Sequence, residues 1–159
     1  NLYKGVFWEP NPRLIYLGMQ DQWYSFNMFD AQAWYARDVI LGRIPLPSQA
    51  EMVADSQQWH VREQTLETNQ QMFEYQGAYI QHLVDATDYP DFDIAGVNET
   101  FLHWKHDKAE NIMGYRDKSY RSLMTGTQSP PHHTQWLQAL DDSMAAYLGA
   151  PATPIKSVG

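Results

Sequence analysis

Apolar and aromatic residues crowd the opening of the chain, Leu2-Tyr3-Lys4-Gly5-Val6-Phe7-Trp8, and recur in Arg13-Leu14-Ile15-Tyr16-Leu17 after the turn cluster Glu9-Pro10-Asn11-Pro12. Both runs have strand character, and together they predict a hairpin that ends at Gly18. The next residues, Met19 to Tyr24, are too mixed for a regular strand. From Ser25, an acceptable N-cap, the spacing changes. Phe26, Phe29, Ala33, Val39 and Ile40, with Trp34 and Tyr35 widening the apolar face, predict a helix buried on most sides. Gly42 and Pro45 end it.

Ser48-Gln49-Ala50-Glu51 is a capping box behind Pro47, and the largely polar stretch to about Glu67 predicts a solvated helix. Thr68-Asn69-Gln70-Gln71 repeats the box. Met72, Phe73, Gln76, Tyr79, Ile80, Leu83 and Val84 then follow at helical spacing until Asp88-Tyr89-Pro90. One or two further helices are expected from Ile94 to about Ile112, with Val97, Phe101, Leu102 and Trp104 apolar. Tyr115 to Thr127 carries no decisive period. Thr134 to Leu148 is amphipathic on Trp136, Leu137, Leu140, Met144 and Tyr147, and residues 149–159 are expected to form a disordered tail. A short β start followed by mostly α-helices is an unusual freestanding architecture, because a two-stranded hairpin is marginal alone. With strand-like residues following Asn1 directly, the chain reads as a cut through the middle of a fold.

Composition narrows the function classes. Of 159 residues 43% are hydrophobic, which is enough for a core and argues against wholesale disorder. The net charge of −8 makes nucleic acid and anionic membranes poor partners, since both require clustered Lys and Arg. Without cysteine there are no disulfides, thiolate metal sites or Cys nucleophiles. No apolar run approaches the roughly 20 residues that span a bilayer, and no signal-peptide pattern opens the chain, so a soluble cytoplasmic protein is expected. Six Trp and ten Tyr suit a dense core or a pocket that grips an apolar or cationic ligand.

The segment from Gly18 to Phe29 is the most informative chemically. A strand that feeds a helix N-terminus through a loop presents unpaired N–H groups and a partial positive charge, which suit a phosphate or the electron-rich edge of a flavin. Gln20 and Gln22 offer amides there and Ser25 a hydroxyl; the bland reading is that these groups satisfy their own backbone. Trp23 sits among polar residues, and Trp104 lies between His103, Lys105 and His106. Each is either a core residue or one wall of a cage for an amine. His103 and His106 have metal-compatible spacing, and His132-His133 form a pair, but no further ligands complete a shell and no metal site is assigned. No G-x-S-x-G elbow exists and no catalytic residue is assigned. The basic stretch Tyr115 to Arg121 is either solvated surface or a nucleotide contact made by an Arg fork. None of the nine glycines forms G-x-G-x-x-G, so any dinucleotide has its phosphates cradled elsewhere.

The run Leu2 to Trp8, the longer run Tyr16 to Tyr35 and the segments Asp107-Lys108-Ala109-Glu110-Asn111-Ile112-Met113 and His132-His133-Thr134 resemble the C-terminal third of bacterial flavin-containing monooxygenases, in their trimethylamine monooxygenase group. The resemblance implies an α/β two-domain dinucleotide-binding (FAD/NADPH) fold. Residues 1–148 would be the closing portion of a discontinuous FAD-binding domain into which the NADPH domain is inserted. It implies FAD and NADPH as cofactors, and as partners the N-terminal portion of the same enzyme, a small amine, O2 and a second copy in a homodimer. The implied reaction is oxygenation of trimethylamine to its N-oxide through a C4a-hydroperoxyflavin. Residue by residue, Gln22 and Ser25 match positions that contact FAD, Trp23 and Trp104 match the aromatic substrate pocket, and Arg116 matches an NADP contact; Gln20 and Asp21 are implicated by adjacency. The competing reading is a non-enzymatic helical module that binds quaternary ammonium ligands through its aromatics. A third is a purely structural or interaction domain.

Overall fold

The computed structural model describes residues 1–123 and 125–128. The chain begins with two short antiparallel strands, β1 (Leu2–Tyr3) and β2 (Phe7–Trp8), paired Leu2 to Trp8 and Tyr3 to Phe7. Among the described residues four helices follow: α1 (Phe26–Ile40), α2 (Gln49–Glu63), α3 (Asn69–Asp85) and α4 (Ile94–Glu110). A 3-10 turn covers Tyr115–Asp117. The described elements therefore form a short β start followed by helices, as the residue pattern predicts. The chain divides within α4 into two compact units, Asn1–Leu102 and His103–Gly159. The predicted helix from Thr134 to Leu148 and the predicted tail at 149–159 lie outside the described residues.

The hairpin is tighter than the sequence suggests. Leu2 to Trp8 is not one strand but the whole hairpin, turning at Lys4 and Gly5, whose φ angles are 53° and 66°. The run from Arg13 to Leu17 joins only through a bridge between Phe7 and Ile15, with Trp8 N–H donating to Leu14 O and Tyr16 N–H to Val6 O. The physical reason is the turn itself. Positive φ is nearly free for glycine, so a Lys-Gly pair reverses the chain inside an otherwise apolar run. Lys4 is drawn into its left-handed conformation by two tethers. Its buried Nζ bonds Asp55 on α2 at 2.6 Å, and its carbonyl accepts from the Tyr79 hydroxyl at 2.7 Å.

Helix starts follow local chemistry. At α2 and α3 both bonds of a capping box are formed, by Ser48 with Glu51 and by Thr68 with Gln71. Gly42, at φ 70°, closes α1 by donating to Val39 O. On α2 the only buried residue is Met52, consistent with its polar sequence. The core of the first unit joins Val6 and Phe7 of the hairpin region, Met28, Ala31 and Tyr35 of α1, and Tyr79, Ile80, Leu83 and Val84 of α3. These α3 positions lie three and four apart, so one helical face carries the burial.

A test of the tight turn follows. A Cβ on Gly5 would overlap the Gln20 side-chain oxygen and lie 2.8 Å from the Tyr79 hydroxyl. Gly5→Ala is expected to destabilise the protein by about 1–2 kcal/mol from backbone conformation alone, with the overlap adding to it. Thermal melting of the intact protein measures this, and an unchanged midpoint would contradict the packed turn.

Candidate functional site

The loop from Gly18 to Ser25 leaves the hairpin region and enters α1. Gly18, at φ 72°, lets the chain turn against the Phe29 ring, which an added Cβ would meet at 2.6 Å. Ser25 occupies the N-cap of α1 but does not cap it. Its side chain makes no cap bond, its backbone is held at φ 41°, and its hydroxyl donates to Gln22 O at 3.4 Å. The sequence expectation of a serine cap is therefore corrected: the strained backbone turns the hydroxyl back along the loop. Strain of this kind costs on the order of 1–3 kcal/mol and persists only where surrounding contacts impose it.

Gln22 and Ser25 are thus neighbours on one loop. The Gln22 Oε1 atom is buried and has no hydrogen-bond partner among the described residues. Leaving such an acceptor unmade costs about 1–3 kcal/mol. The loop thus carries a buried amide oxygen without a partner among the described residues, and it enters a helix start without a side-chain cap.

Trp23 follows directly and is half-buried. Its ring meets Phe73 edge-on at 5.3 Å between centroids and lies 6.1 Å from Phe101. The polar sequence around Trp23 therefore conceals an aromatic cluster, extended by Tyr24 against Phe101 at 5.3 Å. Burial pushes the Tyr24 phenol far above its usual pKa. Its hydroxyl donates to Asn98 Oδ1 at 2.7 Å.

Three residues that the sequence reading did not place in a site hold this loop. Gln32, fully buried on α1, accepts from Gly18 N–H at 2.8 Å and donates to Gln20 Oε1 at 2.8 Å and to the Tyr79 oxygen at 2.8 Å. Gln76 on α3 accepts from Trp23 N–H at 2.9 Å and donates to Asp21 O at 3.2 Å. Burial raises the Tyr79 phenol well above its usual pKa, so it is a neutral donor. The signal in the sequence is Gln76 itself, a polar residue within the apolar stripe of α3. Gln20 also borders an open cavity of about 480 Å³ lined by Lys4, Asp55, Trp59, Tyr75 and Tyr79. Gln22, Trp23 and Ser25 do not line it.

In the second unit, Trp104 is half-buried and meets Tyr115 edge-on at 5.4 Å. Lys108 Nζ lies over both rings, 5.0 Å from Trp104 and 5.7 Å from Tyr115. Arg116 lays its guanidinium over Tyr115 at 4.7 Å, is exposed, and has no carboxylate partner among the described residues. The segment after it is tied back to α4, because Lys118 and the Tyr120 hydroxyl both donate to Asp107. These two donors hold the Asp107 carboxyl below the usual range, while burial and the carboxylate push Tyr120 up to about 12. Trp104 and Arg116 thus share one aromatic–cation stack. Among the described residues no group of three or more His, Cys, Asp or Glu could hold a metal. Likewise, no described helix is long and apolar enough to cross a membrane.

No protein-family model matches the chain. Relatives do. A flavin-containing monooxygenase of Aspergillus flavus is 36% identical over 52 residues, 33% of this chain and 10% of that protein. The trimethylamine monooxygenase of Methylocella silvestris is 57% identical over 150 residues, 94% of this chain and 33% of that protein. That of Pelagibacter ubique is 49% identical over 147 residues, again 33% of its length. The crystal structure of Tmm from Pelagibacter sp. strain HTCC7211 superposes with a TM-score of 0.79 at 47% identity, covering 92% of this chain and 33% of that one. The class is accordingly the flavin-containing monooxygenases, a family of enzymes. Within it the chain belongs to the trimethylamine monooxygenase group, and it spans about a third of the length of the curated relatives it matches.

Proposed function

We propose that this chain is the C-terminal part of a monooxygenase that uses NADPH, FAD and O2 to convert trimethylamine to its N-oxide. In this reading, residues 1–148 close a discontinuous FAD-binding domain. Gln22 and Ser25 contact the flavin, Trp23 and Trp104 are substrate-binding rings, and Arg116 contacts NADP. The observation that carries it is the unpartnered Gln22 oxygen on the loop that leads into the uncapped start of α1. The donor set fits a flavin. A buried amide oxygen accepts from a ring N–H of the flavin pyrimidine, and helix N–H groups suit its carbonyl oxygens. Bound there, the flavin supplies the oxygen-activating chemistry. The chain's own residues bind and orient it, and the aromatic rings exclude water around the amine. Arg116, exposed and without a carboxylate partner among the described residues, has a planar fork suited to a phosphate.

Support for a further polypeptide portion comes from the surface. Leu14, Leu17, Met19, Phe26 and Phe29 are all exposed, Phe26 to 79% and Met19 to 64%. Large apolar side chains left exposed in this way suit burial against the N-terminal portion of the enzyme. A homodimer of the whole enzyme and a cytoplasmic location belong to the same proposal. The ammonium-cage module draws no support from the named relatives, which are monooxygenases.

Gln22→Leu in the intact enzyme tests the flavin contact. It is expected to weaken FAD binding roughly tenfold or more while leaving the FAD-free protein as stable or slightly more so, because an unsatisfied buried acceptor is removed. Flavin titration and melting of the FAD-free protein measure the two effects. Undiminished FAD affinity would remove Gln22 from the site.

A further inference from the structure

The two peptide groups that flank Gln22 both end on one side chain. Asp21 O, the carbonyl on its N-terminal side, accepts from Gln76 Nε2 at 3.2 Å. Trp23 N–H, the amide on its C-terminal side, donates to Gln76 Oε1 at 2.9 Å. A carboxamide used in this way imitates a backbone peptide. It gives the loop the paired donor and acceptor that a neighbouring strand would give, and so fixes the φ and ψ of the residue between them. Gln76 is itself buried, 6% exposed, within the apolar face of α3, and Phe73, one turn before it, packs under Trp23. Rotation of its amide would set like poles against both loop groups, so the arrangement holds one orientation only.

The other end of the loop is held in the same manner from a different helix. Gln32 takes the Gly18 N–H on its oxygen and gives both amide hydrogens, one to Gln20 and one to Tyr79. Tyr79 passes its own hydrogen to Lys4 O at 2.7 Å, which ties the assembly to the hairpin turn. Between these anchors, the Gln22 oxygen is left without a partner among the described residues. A loop pinned at both ends and unsatisfied in the middle is preorganised for a ligand at the middle.

We propose that Gln76 is a positioning residue for the flavin, acting through Gln22, with Gln32 as the second anchor of the same loop. The proposal rests on the reading of Gln22 as a flavin contact. Gln76 does not reach the cofactor. It holds the backbone on either side of the residue that does.

Gln76→Leu, Gln22→Leu and the double variant of the intact enzyme test this through the FAD dissociation constant and the reduction potential of the bound flavin. Gln76→Leu is expected to raise the dissociation constant roughly tenfold or more and to shift the potential in the same direction as Gln22→Leu. The double variant should bind FAD no more weakly than the weaker single variant, since both remove one contact. If Gln76→Leu fails to fold, Gln76→Glu keeps the size and the acceptor for Trp23 N–H while removing the donor to Asp21 O. It should show the same two shifts. A Gln76 variant with a lowered melting temperature but unaltered FAD affinity and potential, beside an impaired Gln22→Leu, would overturn the proposal and leave the flavin reading intact. Additive losses in the double variant would overturn it as well. An unimpaired Gln22→Leu would instead overturn the flavin reading itself, and the proposal with it.

Discussion

Trp23→Ala in the intact enzyme is expected to lose about 3 kcal/mol of stability and, at temperatures where it remains folded, to oxidise trimethylamine less efficiently. The first effect follows from the half-buried ring that fills the space beside Phe73 and Phe101. The second follows from the proposed pocket. An aromatic contact with an amine is worth about 0.5–2 kcal/mol, a few-fold to some thirtyfold in kcat/KM. Loss of the ring also admits water. Trp23→Phe retains an aromatic edge and most of the dry volume, so it should recover much of the stability and part of the amine oxidation. Melting temperature, flavin occupancy and NADPH-dependent amine oxidation separate the roles. If Trp23→Ala loses stability but keeps normal amine turnover per bound flavin, Trp23 is a core residue only.

Arg116→Ala is expected to raise the KM for NADPH about ten- to a hundredfold, corresponding to the roughly 1.5–3 kcal/mol of a charge-assisted contact. Flavin content should stay normal. The guanidinium is exposed and stacked on Tyr115, so its removal leaves no cavity and little stability is at stake. Arg116→Lys should recover only part of the affinity, because an ammonium lacks the planar fork and the stack. A variant with unchanged NADPH kinetics and lost FAD would place Arg116 in the wrong site.

Much of the fold is legible from local chemistry. The two capping boxes mark the starts of α2 and α3, and Gly42 marks the end of α1, because these signals act within one helical turn. The hairpin was legible as β but not in register. Leu2 to Trp8 has the composition of one strand, and only the positive φ at Lys4 and Gly5 reveals that it turns inside the run. Ser25 has the residue type of a cap, yet its conformation is imposed by the loop rather than by its own preference.

The candidate site was legible at the residues that match a known pattern and illegible where it depends on distant partners. Gln22 stands out only as one of several glutamines until its oxygen is seen without a partner. Gln76 is 53 residues from the amide it holds and 55 from the carbonyl, a separation that no local period encodes. Trp23 shows the same limit. Its neighbours in sequence are polar, whereas its neighbours in space, Phe73 and Phe101, come from two other helices.

The most direct test of the central claim is product formation by the purified, FAD-loaded intact enzyme supplied with NADPH, O2 and trimethylamine. The account predicts trimethylamine N-oxide in amounts equal to the NADPH consumed. Bound flavin with no amine-dependent product would contradict it.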